Sequence, residues 1–312
     1  MDGRAARCAV VGAANIDIGG FPAGRLVPGD SNPGRVTLSA GGVGRNIACN
    51  LARLGVETHL VAALGDDAFA GIARADCARA GVDTGLCLSF KGAASSAYLF
   101  IAGPDGDMHL AVNDMGICER LTPQALAERI DALNAMDAVV LDANLPAEAL
   151  DYLARHIRVP LLADAVSAAK APRLLGALDR LWAVKPNALE AEALTGMPVT
   201  DADSAARAAM RLVDMGAARC FITLGSQGVC CADARQVLCL PGQPVRLRNA
   251  TGAGDAFTAA LAWGALRGLD LRSCAAAGLA ASCVAVESLQ TVSDAISAAA
   301  VWARAERILS EE

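Results

Sequence analysis

Apolar and polar positions along the chain fall into two alternating periods. Short β-branched and apolar runs predict strands at Cys8–Val11, Thr58–Ala62, Ala138–Leu141, Pro160–Ala163, Arg180–Val184 and Cys220–Thr223. Between them, apolar residues recur at three- and four-residue spacing over Asn46–Leu54, Pro123–Leu133, Ala147–Arg155, Leu189–Leu194 and Ala205–Met215. That spacing predicts helices that each bury one face. Strand–helix alternation of this kind predicts an α/β fold, with parallel strands and helices covering both faces of the sheet.

Two stretches break the rhythm. Residues 17–38 are rich in Gly and Pro and end in the alternating Arg35-Val36-Thr37-Leu38. Residues 95–112 read as a hairpin, Tyr98–Ile101 and Met108–Val112, around the turn Gly103-Pro104-Asp105-Gly106-Asp107. These pieces are expected to pair into a small sheet standing off the main one. No Pro/Ser-rich linker, charge block or internal repeat divides residues 1–312, so one domain with a small β-lid is expected.

Composition narrows the function classes. A hydrophobic content of 54% over 312 residues supports a large core. A net charge of −6 without any basic run, and only 4% aromatic residues, argue against nucleic acid as a partner. Any bound anion must therefore be held locally, by backbone N–H groups, a metal or a few side chains. The charged Met1–Arg7 leads straight into the first strand without a signal-peptide core, and the apolar Cys274–Val286 is too short to span a bilayer. A cytoplasmic protein with no membrane contact is expected. Its 11 cysteines, which form no C-x-x-C pair, then read as small buried hydrophobes.

The strongest chemical signal is Asn249-Ala250-Thr251-Gly252-Ala253-Gly254-Asp255-Ala256-Phe257. A Gly-Ala-Gly turn opens a long apolar helix, and helix N-termini offer unpaired N–H groups to an anion. Asp255, in the first turn, can accept a proton from an attacking hydroxyl beside that anion, or can simply cap the helix. Gly41-Gly42-Val43-Gly44-Arg45-Asn46-Ile47-Ala48 is a second glycine loop opening a helix, or only a tight turn. Asn187 and Glu190 set an amide and a carboxylate one helical turn apart, suited to a hydrated Mg²⁺ or to a capping box. Thr223-Leu224-Gly225-Ser226-Gln227-Gly228 is a strand end and glycine turn that can take phosphates or merely close a hairpin. Neither the Rossmann nor the P-loop glycine pattern is present. Ser167-Ala168-Ala169-Lys170 has the S-x-x-K spacing of penicillin-recognising enzymes but lacks their companion motifs.

In this order the four clusters resemble the ribokinase-like (PfkB) carbohydrate kinases over the whole chain. The first family signature matches Gly41–Ala48 and the second Thr251–Phe257; the N-x-x-E metal motif matches Asn187 and Glu190, and the T-x-G-x-x-G nucleotide loop matches Thr223, Gly225 and Gly228. The resemblance implies a three-layer α/β/α sandwich with a β-lid, and ATP and Mg²⁺ as cosubstrates, with Glu190 acting on Mg²⁺ through water. It implies Asp255 as catalytic base and the N–H groups of Gly252, Ala253 and Gly254 as the hole for the transferring phosphoryl group. Asn15 and Asp17 match the family's sugar-hydroxyl ligands, Gly42 and Asn46 its second set, and Asn144 stands near a position where ribokinases carry a carboxylate.

The runs Ala14–Asp17, Ser31–Gly34, Val112–Met115, Asp164–Lys170 and Lys185–Asn187 narrow the resemblance to the branch acting on pseudouridine. They add Arg45, Asn113 and Lys170 to the expected acceptor residues. Pseudouridine and ATP are the expected partners, with a homodimer through the β-lid. Asn249 replaces the family's usual Asp at a position tied to a monovalent cation, which leaves K⁺ dependence open. The rivals are another sugar or nucleoside acceptor, or a silent sensor on the same fold. The presence of Asp255 behind Gly252-Ala253-Gly254 speaks against the sensor, which has no use for a base.

Overall fold

A computed structural model of the chain describes residues 5–103 and 108–310. The first half carries strands β1 (Arg7–Val11), β2 (Asn15–Pro22), β3 (Gly34–Gly41), β4 (Glu57–Val61), β5 (Ala63–Leu64), β6 (Val82–Asp83), β7 (Leu88–Ser89), β8 (Ala97–Ala102) and β9 (Met108–Asp114). It also carries helices α1 (Val43–Arg53), α2 (Ala68–Arg79), α3 (Pro123–Ala127) and α4 (Ile130–Asn134). The second half adds strands β10 (Ala138–Asp142), β11 (Leu161–Asp164), β12 (Ala183–Lys185), β13 (Arg219–Thr223), β14 (Gly228–Asp233) and β15 (Val237–Pro241). Its helices are α5 (Ala147–His156), α6 (Ala188–Thr195), α7 (Ala202–Asp214), α8 (Ala253–Leu266), α9 (Leu271–Val286) and α10 (Ala298–Ser310).

Nine strands form one sheet in the order β15-β14-β13-β12-β11-β10-β1-β4-β6. It is parallel from β6 to β13, and its strands read as unbroken apolar runs because both faces are covered. On one face Val10, Leu60, Val140 and Phe221 pack against α1, α2, α8, α9 and α10. On the other, Val11, Val139, Leu141 and Ile222 pack against α3 to α7. The result is the expected helix–sheet–helix sandwich.

β2, β3, β8 and β9 form a second sheet in the order β3-β2-β8-β9, built from the two stretches that break the sequence rhythm. Its register pairs Asp17 with Ser39 and Tyr98, and Tyr98 with Asn113, so these side chains share a face. The opposite face presents Val36, Leu38, Leu99, Leu110 and Val112, all exposed. The turn residues Pro104–Asp107 lie outside the described residues.

Some expectations are corrected. The helix expected over Pro123–Leu133 breaks into α3 and α4, with Arg129 at the junction turned back so that its Nε donates to the Leu86 carbonyl at 3.2 Å. The strand expected from Arg180 begins at Ala183, because Ala171–Arg180 winds as a 3₁₀ helix. β14 and β15 run antiparallel, since the short turn after β13 is no crossover and returns the chain as a hairpin. Nine cysteines are free and buried, but Cys230 and the exposed Cys239, directly paired across β14 and β15, form a disulfide. Sequence spacing does not reveal that pairing, because register across a hairpin sets it. Among the described residues no helix is long and apolar enough to cross a membrane.

Candidate active site

Parallel strands all end at the same edge, and in open α/β sheets that edge forms the binding crevice. Here the closing residues are charged or polar: Asp142 ends β10, Asp164 ends β11, Lys185 ends β12 and Thr223 ends β13. The chain leaves β1 through Gly12-Ala13-Ala14 and delivers Asn15 and Asp17 on β2 to the same edge.

α8 points its N-terminus at this crevice. Its N-cap is Gly252, at φ 85°, and no side chain caps it; the Ala253 N–H makes only a long 3.4 Å contact to the Ala250 carbonyl, so the first turn can offer its N–H groups to an anion. Asp255 lies at the third helical position, which removes the reading of it as a simple cap. A Cβ on Gly254 would lie 3.0 Å from Lys185 Nζ, so the glycine keeps open the space between the helix end and a buried ammonium. A Cβ on Gly252 would meet the Thr291 carbonyl at 2.1 Å, so that glycine serves close packing as well as its left-handed φ.

Asp255 Oδ2 accepts from Asn46 Nδ2 at 2.8 Å, which joins the two glycine signatures. Asn46 Oδ1 in turn accepts from Arg45 at 2.9 Å, and Arg45 pairs with Asp76 of α2. Burial, reinforced by the negative Asp164, pushes the Asp255 carboxyl up to about 7, against the lowering pull of Asn46 and Lys185. Asp164 takes a hydrogen bond from Thr258 at 2.6 Å and an ion pair from Lys185 at 3.0 Å. Burial opposes the Lys185 charge, but Asp164, Glu190 and Asp255 outweigh it and raise its pKa. Asp142, pushed by burial up to about 6, accepts from the N–H groups of Ala13 and Asn144 and fixes the two loops.

At the start of β2, Asn15 Nδ2 donates to Asp17 Oδ1 at 2.7 Å. Burial raises the Asp17 pKa, with Asn15 and Arg45 pulling it back. Gly42, at φ 100°, is boxed by the Ala13 carbonyl, 2.5 Å from where its Cβ would stand. Lys170 donates to Asn144 Oδ1, forming a separate pair on the loops after β11 and β10. The turn leading to Lys170 contains Val166 at φ 66°, a strained conformation for a β-branched residue, tied by its N–H to Asp164. Asn113 stands exposed on β9 beside Tyr98.

On the other side, Asn187, Thr200, Thr223, Gly225 and Gln227 line an open cleft of about 310 Å³. Asn187 and Glu190 form the full capping box: the Asn187 N–H and amide donate to Glu190 at 2.8 and 2.7 Å, and Glu190 N–H donates to Asn187 at 3.0 Å. Gly225 turns at φ 58° with open space where a Cβ would be. Gly228 belongs to the hairpin, since its Cβ would strike the Leu240 carbonyl.

Thr258 carries no sequence motif, and Asp164 and Lys185 entered only as ends of runs that resemble one branch of the family, yet the three form the buried charge centre beneath the α8 N-terminus. For Asp164 and Lys185 the signal was available: a charged residue closes an apolar strand run at the edge where crevices form.

Comparison with known proteins places this geometry in a family. The pfkB family carbohydrate kinase pattern matches residues 5–298. The "uncharacterized sugar kinase YeiI" of Escherichia coli K12 is 36% identical over 89% of this chain and 77% of its own length. Pseudouridine kinase of the same organism is 34% identical over 81% of this chain and 82% of its own. The structure of Arabidopsis thaliana ribokinase, complexed with ribose and ATP, matches with a TM-score of 0.87 at 24% identity, over 99% of this chain and 100% of that one. The fold is therefore the ribokinase-like α/β fold, and the chain belongs to the pfkB family of carbohydrate kinases.

Proposed function

We propose that this kinase transfers the γ-phosphoryl group of ATP to the 5′-hydroxyl of pseudouridine. The observation that carries the phosphoryl-transfer reading is the meeting of three groups at one point. The uncapped α8 N-terminus, the buried Lys185 and the Asn46–Asp255 pair all converge there. Such a site offers fixed positive charge to a phosphoryl group and a proton acceptor to the attacking hydroxyl.

In this reading Asn15 and Asp17 hold the ribose hydroxyls, with Asn46 completing the set. Asp255 takes the proton as the hydroxyl oxygen bonds to phosphorus, and the bond to the bridging oxygen of ADP breaks. The N–H groups of Gly252, Ala253 and Gly254, with Lys185 beside them, stabilise the charge on the phosphoryl oxygens. Asn187, Thr223 and Gly225 carry the nucleotide in the adjoining cleft. Mg²⁺, when bound, would neutralise phosphate charge; Glu190, whose carboxylate is engaged by Asn187, would act on it through water. Asn144, Lys170, Arg45 and Asn113 complete the acceptor surroundings. The four-stranded sheet acts as a lid, and its apolar outer face, Val36, Leu38, Leu110 and Val112, meets a second copy of the chain.

The pseudouridine assignment draws support from the 34% identity to pseudouridine kinase. An acceptor screen with ATP and Mg²⁺ over pseudouridine, uridine, adenosine, ribose and fructose, read by mass detection of phosphorylated product, tests it. Pseudouridine is expected to give the highest kcat/KM. A base-free sugar or an ordinary nucleoside as best acceptor would remove the pseudouridine assignment and leave the kinase.

A further inference from the structure

Phenylalanine, tyrosine and tryptophan together make up only 4% of the chain, yet three of them gather on one face of the small sheet. Phe21 of β2 and Tyr98 and Phe100 of β8 lie at alternate positions from Asp17 and its cross-strand partner Tyr98, so all three share the Asp17 face. Gly19 is the floor beneath them: a Cβ there would lie 2.7 Å from Phe100 and 2.8 Å from Phe21. Phe21 meets Phe100 edge to face, with centroids 5.8 Å apart and planes at 88°. Its own ring is covered by the Arg35 guanidinium, 4.5 Å from the centroid. Phe21 thus props Phe100. The Phe100 ring continues into Tyr98, 6.1 Å away and tilted by 36°.

These rings lie outside the main hydrophobic core. The small sheet's apolar contact with that core is made by Ile16 and Ile18, at the end of the opposite face nearest the core, while Val36, Leu38, Leu110 and Val112 on that face are exposed. Tyr98, Phe100 and Phe21 are half-buried and flank the residues proposed to hold ribose. Phe100 stands opposite Gly19, about 7 Å along the strand beyond Asp17 at ordinary strand rise, away from Asp255. In a nucleoside whose 5′-hydroxyl meets Asp255, the base leaves the ribose at C1′, across the ring from the carbon that bears C5′. A base seated in this way projects along the sheet toward Phe100 and Tyr98.

We propose that Phe100 and Tyr98, propped by Phe21 over Gly19, form a stacking shelf for the aromatic base of the acceptor, and so select nucleosides over base-free sugars. This rests on the reading of the protein as a nucleoside kinase. Stacking is sequence-tolerant because every base has a π-face. The shelf therefore sets the substrate class, while polar neighbours such as Asn113 discriminate among bases.

The test compares wild type with Phe100→Ala, Phe100→Leu and Phe100→Tyr on pseudouridine, uridine and D-ribose, with thermal unfolding recorded for each variant. Phe100→Ala is expected to lower kcat/KM for both nucleosides about 5- to 150-fold, mainly through KM, while the rate on ribose stays unchanged. Phe100→Tyr keeps a π-face and should retain nucleoside activity, whereas Phe100→Leu keeps volume and packing but should not. Leu performing as well as Phe on nucleosides would overturn the shelf while leaving the nucleoside reading intact. An equal loss on ribose and nucleosides would do the same, because it marks a general disturbance of the lid. If wild type itself turns over ribose and no nucleoside, the nucleoside reading fails and the shelf with it.

Discussion

Asp255 is held between opposing influences, and its chemistry follows from their balance. Burial and Asp164 push its carboxyl up to about 7, so a base at this position is half protonated near neutrality. The proposed base role requires the deprotonated form, so kcat/KM should rise as pH increases through about 7 and level off above it, in a pH–rate profile. Asp255→Asn should keep ATP binding and lower kcat by roughly 10²–10⁴; a loss below about tenfold would remove the base role. The same shift has a stability consequence. Because the folded-state pKa is raised above the ordinary carboxylate value, the stabilisation by the protonated carboxyl is fully present below about pH 4 and lost as pH rises through about 7. The melting temperature of Asp255→Asn relative to wild type should therefore climb between pH 5 and pH 8. Gly254 offers a second probe at this scale. Its missing Cβ faces Lys185 rather than backbone, so Gly254→Ala should fold normally while intruding on the phosphoryl position. Displacing the phosphoryl oxygens from the helix N–H groups and Lys185 should cost about what one lost oxyanion contact does, roughly 10²–10³ in kcat; near wild-type turnover would show that the phosphoryl group sits elsewhere. Gly252 is the poorer choice, since its Cβ would strike the Thr291 carbonyl whether or not phosphate binds there.

At the scale of elements, the hairpin β14–β15 closes the far edge of the sheet beside the cleft proposed for the nucleotide. Its two strands pair Cys230 with Cys239, and the disulfide there closes a loop of sequence separation 9. The loop-entropy relation gives roughly 2.5 kcal/mol for a closure of this size. Cys239→Ser should lower urea-unfolding stability by about that amount in oxidising buffer and change it little under reducing conditions. An equal loss in both buffers would mean that the side chain acts by packing and not by the crosslink. α8 illustrates a different division of labour. Its apolar residues, Ala256 to Gly264, are buried all round, so tertiary burial holds the helix in place and leaves its N-terminus free to serve the site without a cap.

At the scale of the whole molecule, the small sheet has two unlike faces. One carries Asp17, Tyr98, Phe100 and Asn113, the face proposed to meet the acceptor; the other exposes Leu38, Leu110 and Val112 at 56, 61 and 60%. Contiguous exposed apolar residues of this kind mark an association surface. Leu38→Asp with Val112→Asp should convert the proposed dimer to monomers in sedimentation velocity and raise the acceptor KM. A wild type that is already monomeric at micromolar concentration would remove the dimer.

The sequence by itself determined what depends on local pattern. Period and burial needs specify strand and helix alternation, which made the sandwich legible. The glycine turns, Asp255, and the capping pair Asn187–Glu190 were likewise visible, because turn geometry and capping act over a few neighbouring residues. Asn15 and Asp17, proposed to hold the sugar, were readable only through family resemblance, since nothing local distinguishes them from turn residues. Only the tertiary structure decided which distant residues meet. Asn46 reaches Asp255 across 209 positions, and Thr258 reaches Asp164 across 94. Lys185 comes to the α8 N-terminus because parallel strands bring their carboxyl ends to one edge. The Cys230–Cys239 bond and the aromatic gathering on β2 and β8 follow from strand register, a long-range property set when the sheets pair.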